Sequence, residues 1–209
     1  MSRVRLPAAC VLLALFGLSC ASEDPGSQSR ADWPMVRGDR AGTGYSPLTE
    51  ITAENVASLA PAWSYSLLAE ASDSETEERL SAFSQATPIV VGDVMFLPTA
   101  DAVVALDPTT GAEIWRTSVA DGRPSRRGVA YWSGENGAPP RILFTAGRRL
   151  IALDAATGSP ATEFGQSGEI DMTVPYLSVP LVFENLVVVG ANTPRGAIGG
   201  VGNARAFDA

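Results

Sequence analysis

The 209-residue chain has no histidine and no lysine, and it has only two cysteines. Without histidine, Ser-His-Asp and Cys-His catalysis, His-ligated zinc and the haem attachment motif ending in His are all excluded. Without lysine, every side-chain cation is one of 15 arginines, whose planar, permanently charged forks suit carboxylates. The 23 acidic residues outnumber them, and a net charge of −8 argues against a nucleic-acid or anionic-lipid surface. Charged residues are scarce at 18% against 45% hydrophobic, the balance of a globular chain and not of a disordered one. What is plentiful is turn chemistry. Twenty glycines and 15 prolines favour many short strands joined by tight connections, hence an all-β fold.

The amino terminus is set apart by its composition. Arg3 and Arg5 precede an apolar run from Leu6 to Leu18, too short to span a bilayer comfortably, with small residues before Cys20. This pattern reads as a secretory signal over 1–20. Gly17-Leu18-Ser19-Cys20 resembles a bacterial lipoprotein box, although Gly17 stands where an aliphatic residue is usual. Lipidation of Cys20 and ordinary cleavage nearby both remain open, and either implies a periplasmic location. Cys10 lies inside the signal, so the exported protein keeps at most Cys20 and forms no internal disulfide. Residues 21–31 are a polar tether. Thr52 is placed to cap a short helical turn through Leu59, and Ala62 to Leu67 alternates like a strand. From Glu70 to Arg79 the charges cluster into a solvated acidic loop.

Beyond that loop the chain becomes regular. Strands are expected over Thr87–Val91, Val94–Thr99, Val103–Asp107 and Glu113–Ser118. A second set runs over Arg127–Ser133, Arg141–Ala146, Leu150–Asp154 and a weaker strand near Thr162–Gly165. A third begins with Pro180–Phe183, Leu186–Ala191 and Ala204–Asp208. Four antiparallel strands joined by tight turns make one β-propeller blade. The units align: Ala105-Leu106-Asp107 is matched by Ala152-Leu153-Asp154 and by Ala206-Phe207-Asp208. Asp107 and Asp154 stand 47 residues apart, Asp154 and Asp208 54, close to blade periods. Thr110-Gly111 and Thr157-Gly158 follow at equal distance, whereas Trp115 is not repeated and Thr162 takes its place.

The pattern Ala-x-Asp-x-x-Thr-Gly-x-x-x-Trp at Ala105 to Trp115 resembles the repeat signature of the pyrroloquinoline quinone (PQQ) dehydrogenases. Trp33 to Gly38, Tyr45-Ser46-Pro47-Leu48, Asn55-Val56, Ala62-Trp63, Thr87-Pro88 and Arg127-Gly128-Val129-Ala130-Tyr131 resemble the family's amino-terminal part in the same order. Leu150 to Asp154, Phe164-Gly165 with Gly168, and Arg205 to Asp208 continue the likeness over nearly everything after the tether, closest to the quinoprotein glucose and alcohol dehydrogenases. The resemblance implies an eight-bladed propeller holding PQQ and Ca2+ on its axis. It implies oxidation of an alcohol or sugar hydroxyl by hydride transfer to the quinone, with electrons passed to a respiratory quinone or cytochrome. The alternative is a non-catalytic scaffold built from the same repeats, like the outer-membrane assembly lipoproteins. Trp33 to Leu48 and the Arg127 motif favour the dehydrogenase.

Three site residues are carried over by the resemblance. Arg127 matches the arginine that contacts the cofactor, with pairing to Asp121 or Glu135 as the plain structural alternative. Gln85 sits where the family often has a glutamate beside the cofactor, and a polar strand-entry residue would look the same. Ser178 matches the serine of a cofactor motif whose threonine is replaced here by Leu177. The vicinal cysteine pair of methanol and ethanol dehydrogenases is missing, which fits the glucose-dehydrogenase-like branch. The catalytic base and remaining calcium ligands fall beyond Ala209 in that family, so no catalytic or metal residue is assigned. About three blades do not close a ring, so the expectation is an amino-terminal portion, inactive alone, in which Ala62 to Leu67 would pair with a closing blade.

Overall fold

The computed structural model describes residues 32–68, 85–192 and 203–209. The signal, the tether, Cys20 and the acidic loop at Glu70 to Arg79 lie outside the described residues. The described part is almost entirely β. Strands β1 (Ile89–Val91), β2 (Val94–Pro98), β3 (Ala102–Leu106) and β4 (Glu113–Ser118) form one antiparallel sheet in the order β1-β2-β3-β4. Strands β5 (Ala130–Trp132), β6 (Arg141–Ala146), β7 (Arg149–Asp154) and β8 (Glu169–Asp171) form a second sheet, again in sequence order. Strands β9 (Leu181–Phe183), β10 (Leu186–Val189) and β11 (Arg205–Asp208) form a three-stranded third. Sheets that fill one strand after another, hairpin by hairpin, are propeller blades, and this ring is not closed.

The two-residue period of the strands explains how the blades stack. On β3, Val103 and Ala105 face the second blade, while Val104 and Leu106 face the other way. On β6 and β7, Ile142, Phe144, Ile151 and Leu153 pack against the first blade, and Leu143, Leu150 and Ala152 against the third. Both faces of the second blade are therefore covered, which is why β6 is buried throughout. The third blade offers Val187 and Val189 to its neighbour and leaves Leu181, Phe183 and Leu186 exposed. Arg40 lays its guanidinium over the Phe183 ring, 5.1 Å from the centroid.

The repeated turn does the locking. The Asp107 carboxylate accepts from the amides of Thr109 and Thr110 at 2.7 and 3.0 Å, and from the Thr109 hydroxyl at 2.6 Å. Asp154 repeats this with Ala156, Thr157 and the Thr157 hydroxyl. Gly111 and Gly158 then take φ of 71° and 72°, which side-chain-bearing residues avoid. Against the bare Gly158 lies the Trp115 indole, whose N–H donates to the Ala155 carbonyl at 3.0 Å. Trp63 does the same one blade earlier, resting on Gly111 and donating to the Pro108 carbonyl at 3.1 Å.

Beyond shifts of a residue or two at strand ends, the expected elements differ from the observed ones in four places. Arg127 lies in a turn and not in the strand expected over Arg127–Ser133, which begins only at Ala130. The fourth strand of the second blade is Glu169–Asp171, not Thr162–Gly165. Residues 162–164 form a turn instead, closed by the Phe164 amide on the Ala161 carbonyl, because Pro160 already bridges Leu153 and the chain must loop back to reach β7 again. Ala62 to Leu67 is extended but makes no ladder, since no strand among the described residues runs beside it. Thr52 does not cap by its hydroxyl: the 3-10 turn Val56–Ser58 starts at Asn55, whose side chain accepts from the Thr52 amide at 2.8 Å.

Candidate functional site

At one end of the sheets, a cleft of about 1030 Å³ opens where four connections meet. They are the β2–β3 hairpin at Pro98 to Ala100, the link from β4 to β5 at Arg123 to Arg127, the 176–178 segment, and Ala191-Asn192 after β10. Ser66 to Leu68 complete the wall. Three arginines, Arg123, Arg126 and Arg127, line this cleft, and no aspartate or glutamate among the described residues does. That concentration stands out in a chain of net charge −8. A low-dielectric concavity with one sign of charge focuses its field on an anion.

The walls are fastened by two buried hydroxyls. Thr145 is fully buried in β6, next to Ile142, Leu143 and Phe144, and donates its hydroxyl to the Ser178 carbonyl at 3.1 Å. Its own carbonyl accepts the Ser125 amide at 2.7 Å. Ser125 is 3% exposed, donates its hydroxyl to the Leu177 carbonyl at 3.2 Å and accepts from the Arg127 amide at 3.4 Å. The arginine-bearing link and the Ser178 segment are thus tied to one strand and to each other. Asn192 adds a further tie, accepting from the Leu177 amide at 3.0 Å. Neither Thr145 nor Ser125 was among the residues singled out from the sequence. A lone hydroxyl inside Ile142-Leu143-Phe144-Thr145-Ala146 is the signal, because a buried polar group needs a partner.

Of the three residues carried over by resemblance, Arg127 and Ser178 line the same cleft. Gln85 stands beside it: its amide donates to the Arg126 carbonyl at 3.2 Å, and the Thr87 amide donates to the Arg127 carbonyl at 3.2 Å. Gln85 is exposed and is not part of the cleft wall. Arg127 is exposed and pairs with neither Asp121 nor Glu135. The ion pairs present among the described residues, such as Arg116–Asp101 at 2.7 Å and Arg149–Glu169 at 2.9 Å, employ other arginines. Among the described residues no group of three or more His, Cys, Asp or Glu is gathered for a metal ion.

Stacked four-stranded blades, a repeated Asp-Thr-Gly turn with a docked tryptophan, and a cationic cleft at the strand ends define a quinoprotein-type β-propeller. Residues 33–209 match the family described as "PQQ: Glucose/ethanol/alcohol dehydrogenase, beta-propeller domain". The chain belongs to that family. It is 37% identical over 194 residues to a quinohemoprotein alcohol dehydrogenase of Comamonas testosteroni, covering 85% of this chain and 24% of the relative. It is 32% identical over 174 residues to quinoprotein glucose dehydrogenase A of Acinetobacter calcoaceticus, covering 71% of this chain and 21% of the relative. The crystal structure of the Comamonas testosteroni enzyme superposes with a TM-score of 0.57 at 32% identity, over 76% of this chain and 23% of that one. A europium-containing methanol dehydrogenase superposes with a TM-score of 0.61 at 27% identity, over 86% of this chain and 30% of that one. The chain therefore spans between a fifth and a third of these proteins' lengths.

Proposed function

We propose that this chain forms the cofactor-binding blades of a periplasmic PQQ-dependent dehydrogenase that oxidises an alcohol or sugar hydroxyl. Family membership supports the reaction class, and the observation that carries the assignment to this site is the cleft lined by Arg123, Arg126 and Arg127, with no carboxylate among its described residues. PQQ is a flat quinone bearing three carboxylates, so guanidinium forks and fixed hydroxyls suit it. PQQ would supply the hydride acceptor for oxidation of the hydroxyl-bearing carbon, and the protein's part would be to bind, orient and shield it. Arg127 is the side chain to hold a carboxylate and Ser178, in the same cleft, would offer a hydroxyl, whereas Gln85 stands outside the wall. Ser125 and Thr145 hold Arg127 and Ser178 at a fixed separation. Ca2+ belongs to the family resemblance; the described residues of this wall include no acidic ligand for it, and no step is routed through it.

The names of the relatives point to alcohols and glucose as substrate classes, and a respiratory quinone or cytochrome would take the electrons. Cys20 would anchor the protein to the membrane if it carries a lipid. The test is made on the whole gene product. Added PQQ with Ca2+ should bind with a change in quinone absorbance, and dye-linked oxidation of alcohols or aldoses should follow. Failure to bind PQQ would reject the dehydrogenase and leave the non-catalytic scaffold.

A further inference from the structure

Arg205 opens β11 at the cleft end of the third blade, because the antiparallel pairing with β10 sets it opposite Val189. Its guanidinium donates to three backbone carbonyls that belong to two different connections. One terminal nitrogen donates to the Met172 carbonyl; the other donates to the Val174 carbonyl at 3.1 Å and to the Gly190 carbonyl at 2.7 Å. Met172 and Val174 lie in the link from β8 to β9, whose residues Tyr176 to Ser178 wall the cleft. Gly190 directly precedes the wall residues Ala191 and Asn192. Around this fork the two connections close on each other. The Asn192 amide donates to the Pro175 carbonyl at 2.8 Å, and the Leu177 amide to the Asn192 side chain at 3.0 Å. The Tyr176 ring lies against Gly190, where an added Cβ would stand 3.1 Å from Cε2.

We propose that Arg205 is a positioning residue of the cleft: through the carbonyls of Met172, Val174 and Gly190 it sets the Ser178 wall against the Ala191-Asn192 wall. A planar fork with donors in fixed directions holds several carbonyls in one arrangement, and bonds from a charged donor are stronger than those between neutral groups. The link needs such a clamp, because residues 172–180 form no strand of their own. Thr145 and Ser125 already hold the Ser178 and Leu177 carbonyls. Arg205 fastens the start of the same link from the third blade, so the wall is tied on both sides. Arg141 makes the contrast. Its Nε, like that of Arg205, is buried without a hydrogen-bond partner, but its guanidinium lies over the Trp132 ring at 5.0 Å, and it begins β6, which reaches the cleft only at Thr145. The ligand that this wall meets is PQQ on the dehydrogenase reading, on which the inference rests and which it deepens.

The experiment compares Arg205→Met with Arg141→Met, each of which removes a guanidinium with a buried Nε, both in the full-length protein. The first arm measures amide hydrogen exchange without cofactor. R205M should speed exchange at Leu177 and Asn192 about tenfold and leave Ser125, bonded to Thr145, as in the wild type, whereas R141M should leave all three unchanged. The second arm titrates PQQ and reads the dissociation constant from quinone absorbance. R205M should bind about tenfold more weakly and R141M as the wild type does. Arg205→Lys keeps the charge without the fork, should show the same changes at smaller size, and carries both arms if R205M does not fold. Unchanged exchange at Leu177 and Asn192 overturns the inference. So does faster exchange with PQQ binding equal to that of the wild type, since Arg205 would then fasten a loop without setting the site; in both cases the dehydrogenase stands. If the wild type does not bind PQQ, the dehydrogenase reading falls, and exchange alone decides whether Arg205 sets the wall.

Discussion

The blade lock can be tested by a single methyl group. Substituting Gly158→Ala places a Cβ 2.6 Å from Cε3 of Trp115, 2.7 Å from its Cδ2 and 2.7 Å from the Thr117 hydroxyl oxygen. None of these is a free-swinging terminus. Trp115 is 9% exposed and bonded to Ala155, and the Thr117 hydroxyl donates to the Gly158 carbonyl at 2.7 Å. The alanine must also hold φ at 72°. The conformational part costs about 1 to 2 kcal/mol. Overpacking a fixed neighbour adds about 1 to 3 kcal/mol. Gly147→Ala separates the two, because Gly147 has φ of 62° in an open hairpin with nothing within 4 Å of the added methyl. It should suffer the conformational part alone.

The assay is denaturant unfolding of the full-length protein, with the midpoint and slope of each variant compared at fixed cofactor and salt. G158A should be less stable than G147A by about 1 to 3 kcal/mol. In a Trp115→Ala background the clash with the indole is gone and only the Thr117 contact is left, so G158A should cost less there than in the wild type, a coupling a double-mutant cycle detects. Equal losses in G158A and G147A, or strict additivity with W115A, would refute the docking argument and reduce the turn glycine to a matter of backbone conformation.

Two further predictions concern the cleft wall and the first blade. Thr145→Val keeps the shape but deprives the half-buried Ser178 carbonyl of its donor, and stability should fall by about 1 kcal/mol, read as a lower denaturant midpoint. PQQ titration of the same variant should show weaker binding if Ser178 must stay in register with Arg127. Burial, followed by the Glu113 carboxylate that its hydroxyl contacts at 2.6 Å, pushes the Tyr65 phenol up from 10.0 to about 12. The folded state therefore holds the phenol proton more tightly than the unfolded chain. That contribution is complete below pH 10, is lost as pH rises towards 12, and should be absent from the alkaline unfolding profile of Tyr65→Phe.

Where the sequence was legible, a local rule and the tertiary structure agreed. Asp107, Thr110 and Gly111 announce a turn in any context, and their recurrence at Asp154, Thr157 and Gly158 set the blade period. The apolar runs of β3, β6 and β7 needed only burial on both faces to become strands. The fourth strand of the second blade was misplaced because Glu169-Ile170-Asp171 has no pattern of its own; it is a strand because β7 offers it an edge. In the site, Arg127 and Ser178 were found through family likeness. Ser125 and Thr145 were missed because a hydroxyl in a polar link or in a strand has no partner in view until the chain folds.

Trp63 shows how the same residue type carries two meanings that only geometry separates. Its alternation with Tyr65 and Leu67 reads as a strand, and those two side chains do pack on Leu97, Val104 and Leu106, on the face of the first blade turned away from the second. Trp63 also sits on Gly111 and Pro108 as Trp115 sits on Gly158 and Ala155, one blade later. By position and contacts, residues 62–67 stand to the first blade as β4 stands to the second. They lack only the ladder. A strand is defined by backbone partners, and side chains alone cannot supply them. Residues 62–67 are therefore docked on the first blade through Trp63 without a ladder among the described residues. That makes the Asp-Thr-Gly turn, and not the ladder of the docking segment, the receptor that fixes where each blade meets the next.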